Sequence, residues 1–295
     1  MASPTLATVA TQFLQRPGLA KGTLKAYEST LMPFLAAYGS WTIDLLERHD
    51  VVEYLQDLTH LAYMTRRKQQ ATLQALFNFA VEQGHIKANP IARLKQPKPD
   101  PQKDEHNSDD TIRYLSEAQL KCLYRAVELD TRMKAIISLL HRSGARISEV
   151  LQLDLDDIDF AEQRFQVLGK GNKQRWCFFS QDTAVTLSEY IRNARYSGSV
   201  ALFTAQQPIS LKVSRMSYPR VHQCWQALIA PYPKLEAVRL HDLRHTFATE
   251  RVGLMGIEEL RALMGHQDIQ TTLRYQKVTS RRAEMVAKQA LNTLL

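Results

Sequence analysis

Residues 95–110, Lys-Gln-Pro-Lys-Pro-Asp-Pro-Gln-Lys-Asp-Glu-His-Asn-Ser-Asp-Asp, carry three prolines and otherwise only polar and charged side chains. A stretch with nothing to bury cannot cross a core, so it divides the 295-residue chain into two regions. The expected division is 1–96, a linker at 97–110, and 111–295. Each flanking region is long enough to bury a core of its own. The prolines keep the linker semi-extended, and its acidity would push it off a polyanion.

The two regions differ in pattern. In the first, Leu24, Tyr27, Leu31, Phe34, Leu35 and Tyr38 recur at helical spacing up to Gly39, and Leu73, Leu76, Phe77, Ala80 and Val81 up to Gly84. This predicts a helical bundle. Ser116 and Gln119 have the spacing of a capping box, which starts a helix in the second region. Another spans Met133 to Leu140, and the chain breaks at Gly144 so that Arg146 opens a new one. Residues 164–179 alternate apolar and polar on both sides of Gly169-Lys170-Gly171-Asn172, which predicts a β-hairpin tipped by Lys170. Helices are expected over 181–195 and 218–229, a short strand over 200–204, and a loop through Pro208 and Ser214. The fold class read from these patterns is mainly α with a small antiparallel β-sheet: a helical bundle followed by an α+β domain.

Charge narrows the function. The chain has a net charge of +8 and a pI near 9.4. Residues 1–99 hold 11 Lys and Arg against 7 Asp and Glu, residues 100–110 one against five, and the remainder 26 against 18. Two basic regions joined by an acidic strip suit a clamp around a polyanion. Arg66, Arg67 and Lys68, at the start of the second long helix, are candidate phosphate contacts. No apolar run is long enough to cross a bilayer, and the N-terminus lacks the basic start of a secretory signal. A cytoplasmic protein without a membrane partner is expected. Cys122, Cys177 and Cys224 lack CxxC spacing, so they read as reduced thiols, neither a disulfide framework nor a zinc site.

The chemistry concentrates between Arg239 and Lys277. His241 and Arg244 share a helix face, Gly265-His266 falls where the next helix should stop, and Tyr275 follows nine residues later. Arg146 belongs with them, because the helix dipole disfavours a cation at a helix start and leaves it available to an anion. No acidic pair or Gly-rich phosphate loop accompanies the set. The reading that fits is a phenol attacking a phosphodiester held by cations.

In order, Gly144-Ala-Arg146-Ile-Ser-Glu149, the Gly-Lys170-Gly-Asn-Lys173 hairpin, His241-Asp-Leu-Arg244-His245, Leu263-Met-Gly-His266 and Tyr275 resemble the catalytic domain of the tyrosine recombinase/phage integrase family, of the simple two-domain Xer-like type. The resemblance implies a core-binding domain before the linker and a catalytic domain after it. It implies Tyr275 as nucleophile forming a 3′-phosphotyrosine, Arg146 and Arg244 on the non-bridging oxygens, and His266 as a further donor. His241 would assist deprotonation of the tyrosine and Lys170 would protonate the leaving 5′-oxygen, with Lys173 as a further DNA contact. No cofactor or metal is implied. The partner would be double-stranded DNA, bound by a homotetramer on paired sites in the nucleoid. Ala283, Ala287, Ala290, Leu291 and Leu294 form a stripe, so residues 281–295 are expected to dock in trans. The helical region begins near Met1, which leaves this sequence no room for an additional N-terminal DNA-binding domain.

Other readings compete. His241 and His245 have the spacing of two zinc ligands, but Asp242 stands where a metalloprotease needs Glu and Arg244 would sit beside the metal. His245 reads instead as a core or supporting histidine. A type IB topoisomerase would share the tyrosine, arginines and lysine, and a catalytically silent DNA-binding protein would share the fold.

Overall fold

The computed structural model describes residues 3–100, 112–169 and 174–278. Lys170 and Lys173, most of the expected linker, and residues 281–295 with their apolar stripe lie outside those described. The chain forms two compact units, Met1–Thr111 and Ile112–Leu295.

The first unit is helical: α1 (Leu6–Gln15), α2 (Lys21–Tyr38), α3 (Arg48–Asp57) and α4 (Tyr63–Glu82). Its core gathers Leu6, Val9 and Phe13 of α1, Leu31 and Phe34 of α2, Val51 of α3, and Leu73, Leu76 and Phe77 of α4. Arg66, Arg67 and Lys68 occupy the first two turns of α4, the two arginines half-buried and the lysine exposed. A polar stripe one turn further on was not anticipated. Gln70 donates from Nε2 to the carbonyls of Leu94 and Lys95 at 3.1 and 3.2 Å, and Gln74 to that of Ala92 at 3.0 Å. These amides satisfy backbone acceptors that leave the helical part without a ladder.

The second unit begins with α5 (Glu117–Ala126), capped by Ser116 and Gln119 as expected. Then come α6 (Thr131–Ser143) and the single turn α7 (Ile147–Val150). Strands β1 (Ile158–Asp159), β2 (Arg164–Leu168) and β3 (Gln174–Phe178) form an antiparallel sheet in that order. The β2–β3 register pairs Phe165 with Cys177 and Val167 with Arg175, all turned inward. Next are α8 (Gln181–Asn193), the pair β4 (Thr204–Gln206) and β5 (Val213–Arg215), and α9 (Tyr218–Ile229). Ser214, expected in a loop, lies in β5 opposite Ala205; a three-residue strand is too short for alternation to reveal it. The expected strand over 200–204 starts only at Thr204, Ala201 making a single bridge to Asp154.

Helix α6 is the axis of this unit. Met133, Ala135, Ile136, Ile137, Leu139 and Leu140 are all buried, since α8, α9, α10 (Leu240–Arg251) and β3 pack around it. Finally α11 (Ile257–Met264), α12 (Ile269–Leu273) and a 3₁₀ turn over Arg274–Val278 fold back. Phe247, Ala248, Val252, Leu260, Met264 and Tyr275 form a second small core, which seats the last helices on α10. No helix among the described residues is long and apolar enough to cross a membrane.

Candidate active site

Three local structures deliver the site. Gly144 ends α6 in the left-handed conformation, φ 64°, and a Cβ there would lie 2.3 Å from Phe247 Cδ1, so only glycine fits. The turn reverses the chain and sets Arg146 at the N-cap of α7. Gly265 ends α11 in the same way, φ 63°, and turns His266 back toward α10. On α10 itself, Asp242 accepts from the backbone N–H and Nη2 of Arg239 at 2.9 and 3.1 Å. That carboxylate caps the helix, and its charge also opposes the lowering of the pKa of His241 and His245.

Arg244 is buried and spans two helix ends. Its Nη1 donates to the carbonyl of Gly144 at 2.5 Å and its Nη2 to that of Met264. Arg146 stands beside it, half-exposed, donating from Nη1 to Glu149 Oε1 at 2.9 Å and from Nη2 to the carbonyl of Gly265 at 3.5 Å. Pairing with Glu149 and facing the cleft are thus compatible: the guanidinium has donors for both. The last carbonyls of α11 meet guanidinium groups in succession, because Leu263 accepts from Arg175 Nε at 3.0 Å. The negative end of the helix dipole offsets part of their mutual repulsion.

Burial, then the neighbouring Arg146 and Arg175, lower the Arg244 pKa to about 10, which leaves it charged at neutral pH. For Glu149, burial raises the pKa, but hydrogen bonds from Arg175 and Arg146 outweigh it and bring the carboxyl down to about 2.

Tyr275 is 3% exposed. Its hydroxyl lies 2.8 Å from Nδ1 of His245, and its ring lies parallel to His266, with centroids 6.3 Å apart. His241 stands behind, edge-on to His245 at 4.7 Å. The sequence reading assigned the tyrosine's proton to His241 and a supporting position to His245. The structure has His245 on the hydroxyl, since the tyrosine comes down on the second turn of α10 and not the first. His266 Nδ1 lies 2.8 Å from Thr272 Oγ1.

All three histidines are held neutral at physiological pH. Burial and then Arg244 lower His241; burial and then His241 bring His245 to about 4; burial and then Arg244 bring His266 to about 3. Burial also raises the Tyr275 hydroxyl above its ordinary value, against the opposing pull of Arg244, Arg274 and Arg146. The cleft therefore offers arginine charge, neutral imidazoles and a protonated phenol.

Ile112, Arg146, His241, Arg244, His245, His266, Thr271, Arg274 and Tyr275 line this cleft of about 210 Å³. A phosphate group is small enough to enter it. Five of the six residues expected to act together, Arg146, His241, Arg244, His266 and Tyr275, meet here; Lys170 is outside the described residues. The reading missed Arg175 and Thr272. Arg175 left a trace, because it shares the inward face of β3 with Cys177, and a charge on the buried face of a strand requires a partner. Thr272 left none.

The sequence profile of the phage integrase family matches residues 113–282. The chain belongs to the phage integrase family. It is a tyrosine recombinase of the Xer-like type, 28% identical over 316 aligned positions to the tyrosine recombinase XerD of Xanthomonas axonopodis pv. citri, covering 99% of this chain and 97% of that one. It is 27% identical to XerC of Lactobacillus delbrueckii subsp. bulgaricus, with 80% of each covered. Among solved structures, the Tn1549 transposon integrase in complex with transposon right end DNA superposes with a TM-score of 0.74 at 22% identity, covering 97% of this chain and all of the other. A lambda integrase dimer bound to a core site gives 0.71 at 15%, covering 92% and 95%. At these identities the structural likenesses speak for the fold, and the family match carries the membership.

Proposed function

We infer that this chain is a site-specific DNA recombinase, which cleaves and rejoins double-stranded DNA through a covalent 3′-phosphotyrosine. The observation that carries the reading is the tyrosine hydroxyl held 2.8 Å from a neutral imidazole, in a cleft that it shares with Arg146 and Arg244. In the proposed step, Tyr275 Oη forms a bond to the scissile phosphorus and gives its proton to His245. The bond from phosphorus to the 5′-oxygen breaks, and Lys170 supplies that oxygen's proton, with Lys173 as the competing donor. Arg146 and Arg244 stabilise the charge on the non-bridging oxygens as it grows, and His266 adds a neutral N–H donor. The phosphotyrosine conserves the bond energy, so rejoining needs no nucleotide, and the arginines supply the positive charge that a metal ion supplies elsewhere.

Residues 1–96 would act as the clamping domain, with Arg66, Arg67 and Lys68 on phosphates; 97–110 as linker; and 111–295 as the catalytic domain. We further propose a homotetramer on paired sites, associated with the nucleoid and using residues 281–295 in trans. Removing those residues should spare binding to one half-site and stop strand exchange. Similarity to XerD over nearly the whole chain favours recombination over a type IB topoisomerase. The test is a nicked duplex that traps the cleaved state. Wild type should form a protein–DNA adduct in EDTA, and Tyr275→Phe should bind equally and form none. An adduct with the Phe variant would sink the assignment.

A further inference from the structure

Arg175 lies on the inward face of β3, five residues beyond Lys170, with its side chain 10% exposed. Its Nη1 and Nη2 donate to Oε1 and Oε2 of Glu149 at 2.9 and 2.7 Å, a two-pronged pair, while Nε donates to the carbonyl of Leu263 at 3.0 Å. The same carboxylate accepts from the backbone N–H of Arg146 at 2.7 Å and from its Nη1 at 2.9 Å. Glu149 is thereby gripped between two guanidinium groups. Of the three side chains, only that of Arg146 lines the cleft.

Arg175 also supports the turn that carries His266. A Cβ on Gly265 would lie 2.9 Å from both Cδ and Nη1 of Arg175, so the guanidinium packs closely against the left-handed turn. The hairpin, α7 and the end of α11 thus meet at one side chain. Without its fork, the Glu149 carboxylate could rotate and take Arg146 with it, and the carbonyl of Leu263 would lose its donor two residues before Gly265. Lysine could not substitute, because a single ammonium cannot hold two carboxylate oxygens in plane and a carbonyl to the side.

We propose that Arg175 is a positioning residue for strand cleavage, acting on the scissile phosphate through Glu149 and Arg146 and through the turn that presents His266. The inference rests on the recombinase reading, in which Arg146 stabilises charge on a non-bridging oxygen. Displacing Arg146 should therefore matter in proportion to the charge it has to stabilise.

The full-length chain with Arg175→Lys and with Arg175→Met is tested on a half-site duplex for binding and on a nicked duplex for single-turnover adduct formation. Each cleavage assay is run twice, with an ordinary scissile phosphate and with a methylphosphonate, which lacks one non-bridging charge. Thermal melts accompany both variants. The expected result is a folded Arg175→Lys protein with a modestly lowered Tm, unchanged half-site affinity, and adduct formation slower by about 10²-fold on the ordinary phosphate, the scale of one misplaced transition-state donor. On the methylphosphonate the deficit should shrink to about 10-fold or less for both Arg175 variants and for Arg146→Ala alike. Equal slowing on both substrates, a wild-type rate, or unfolding of both variants would overturn the proposal and leave Arg175 to the fold. If wild type forms no adduct, or Tyr275→Phe still does, it is the recombinase chemistry that fails.

Discussion

Nδ1 of His245 lies 2.8 Å from the hydroxyl of Tyr275, while His241 stands one ring further back. Positions i and i+4 of α10 share a face, yet only the second turn receives the tyrosine. In the proposed mechanism that order makes His245 the base and His241 its support.

The two histidines should therefore differ when removed. His245→Ala should slow adduct formation by about 10²- to 10⁴-fold, the range for a lost general base. Because burial raises the Tyr275 pKa, its rate should climb with pH well above neutrality, where the phenol begins to ionise unaided. His241→Ala should cost less. A larger loss from His241→Ala, across a pH series of single-turnover cleavage, would return the base to His241.

Stability should fall as the pH drops below the ordinary histidine value. An unfolded histidine takes up a proton near 6.5, whereas His245 and His266 stay neutral in the fold until about 4 and about 3. Between those limits the unfolded state binds more protons, so acid favours unfolding, and the stabilisation complete above pH 6.5 is lost on the way down. Melts of the DNA-free protein from pH 7.5 to 4.5 should show Tm falling, and a His245→Gln/His266→Gln double variant should show a shallower fall. Identical slopes would mean that other groups set the acid limit.

Gly144→Ala is expected to destabilise the second unit. The left-handed backbone costs a side-chain-bearing residue about 1–2 kcal/mol. The added methyl would also meet the Phe247 ring at 2.3 Å, and overpacking of that kind costs about 1–3 kcal/mol. Denaturant unfolding should show the sum, roughly 2–5 kcal/mol. A loss below about 1 kcal/mol would mean that the Phe247 ring moves aside at little cost.

Much of this architecture could be read from the chain because it is local. The capping box at Ser116, the stops at Gly144 and Gly265, and the alternation around the hairpin each depend on neighbouring residues. Arg146, Arg244 and Tyr275 stood out as candidates because their types suit one chemistry, and they line one cleft. What stayed hidden depends on contacts between distant segments. The fork from Arg175 to Glu149 joins β3 to α7, Gln70 reaches the carbonyls of residues 24 and 25 positions away, and which of His241 and His245 lies nearer the Tyr275 hydroxyl depends on where the tyrosine lands. A periodic pattern reports which face is buried, not which neighbour waits there.

The last prediction separates the two cleft arginines. Arg244 is buried, with its guanidinium bridging the carbonyl of Gly144 at the end of α6 and that of Met264 at the end of α11. Arg146 is half-exposed and has Glu149 for a partner. In Arg244→Lys the charge remains, but one ammonium cannot reach both carbonyls, so a buried acceptor loses its donor at a cost of about 1–3 kcal/mol. Arg244→Lys should therefore lower Tm and slow cleavage together, by about 10²-fold or more. Arg146→Lys should slow cleavage on a similar scale with a smaller change in Tm, because its guanidinium is half-exposed and its contact to the carbonyl of Gly265 is long, 3.5 Å. Parallel melts and single-turnover adduct assays read both quantities. If Arg146→Lys melts as early as Arg244→Lys, the bridge between α6 and α11 is not what distinguishes them; if Arg244→Lys cleaves normally, a single charge at that point is enough for the phosphate.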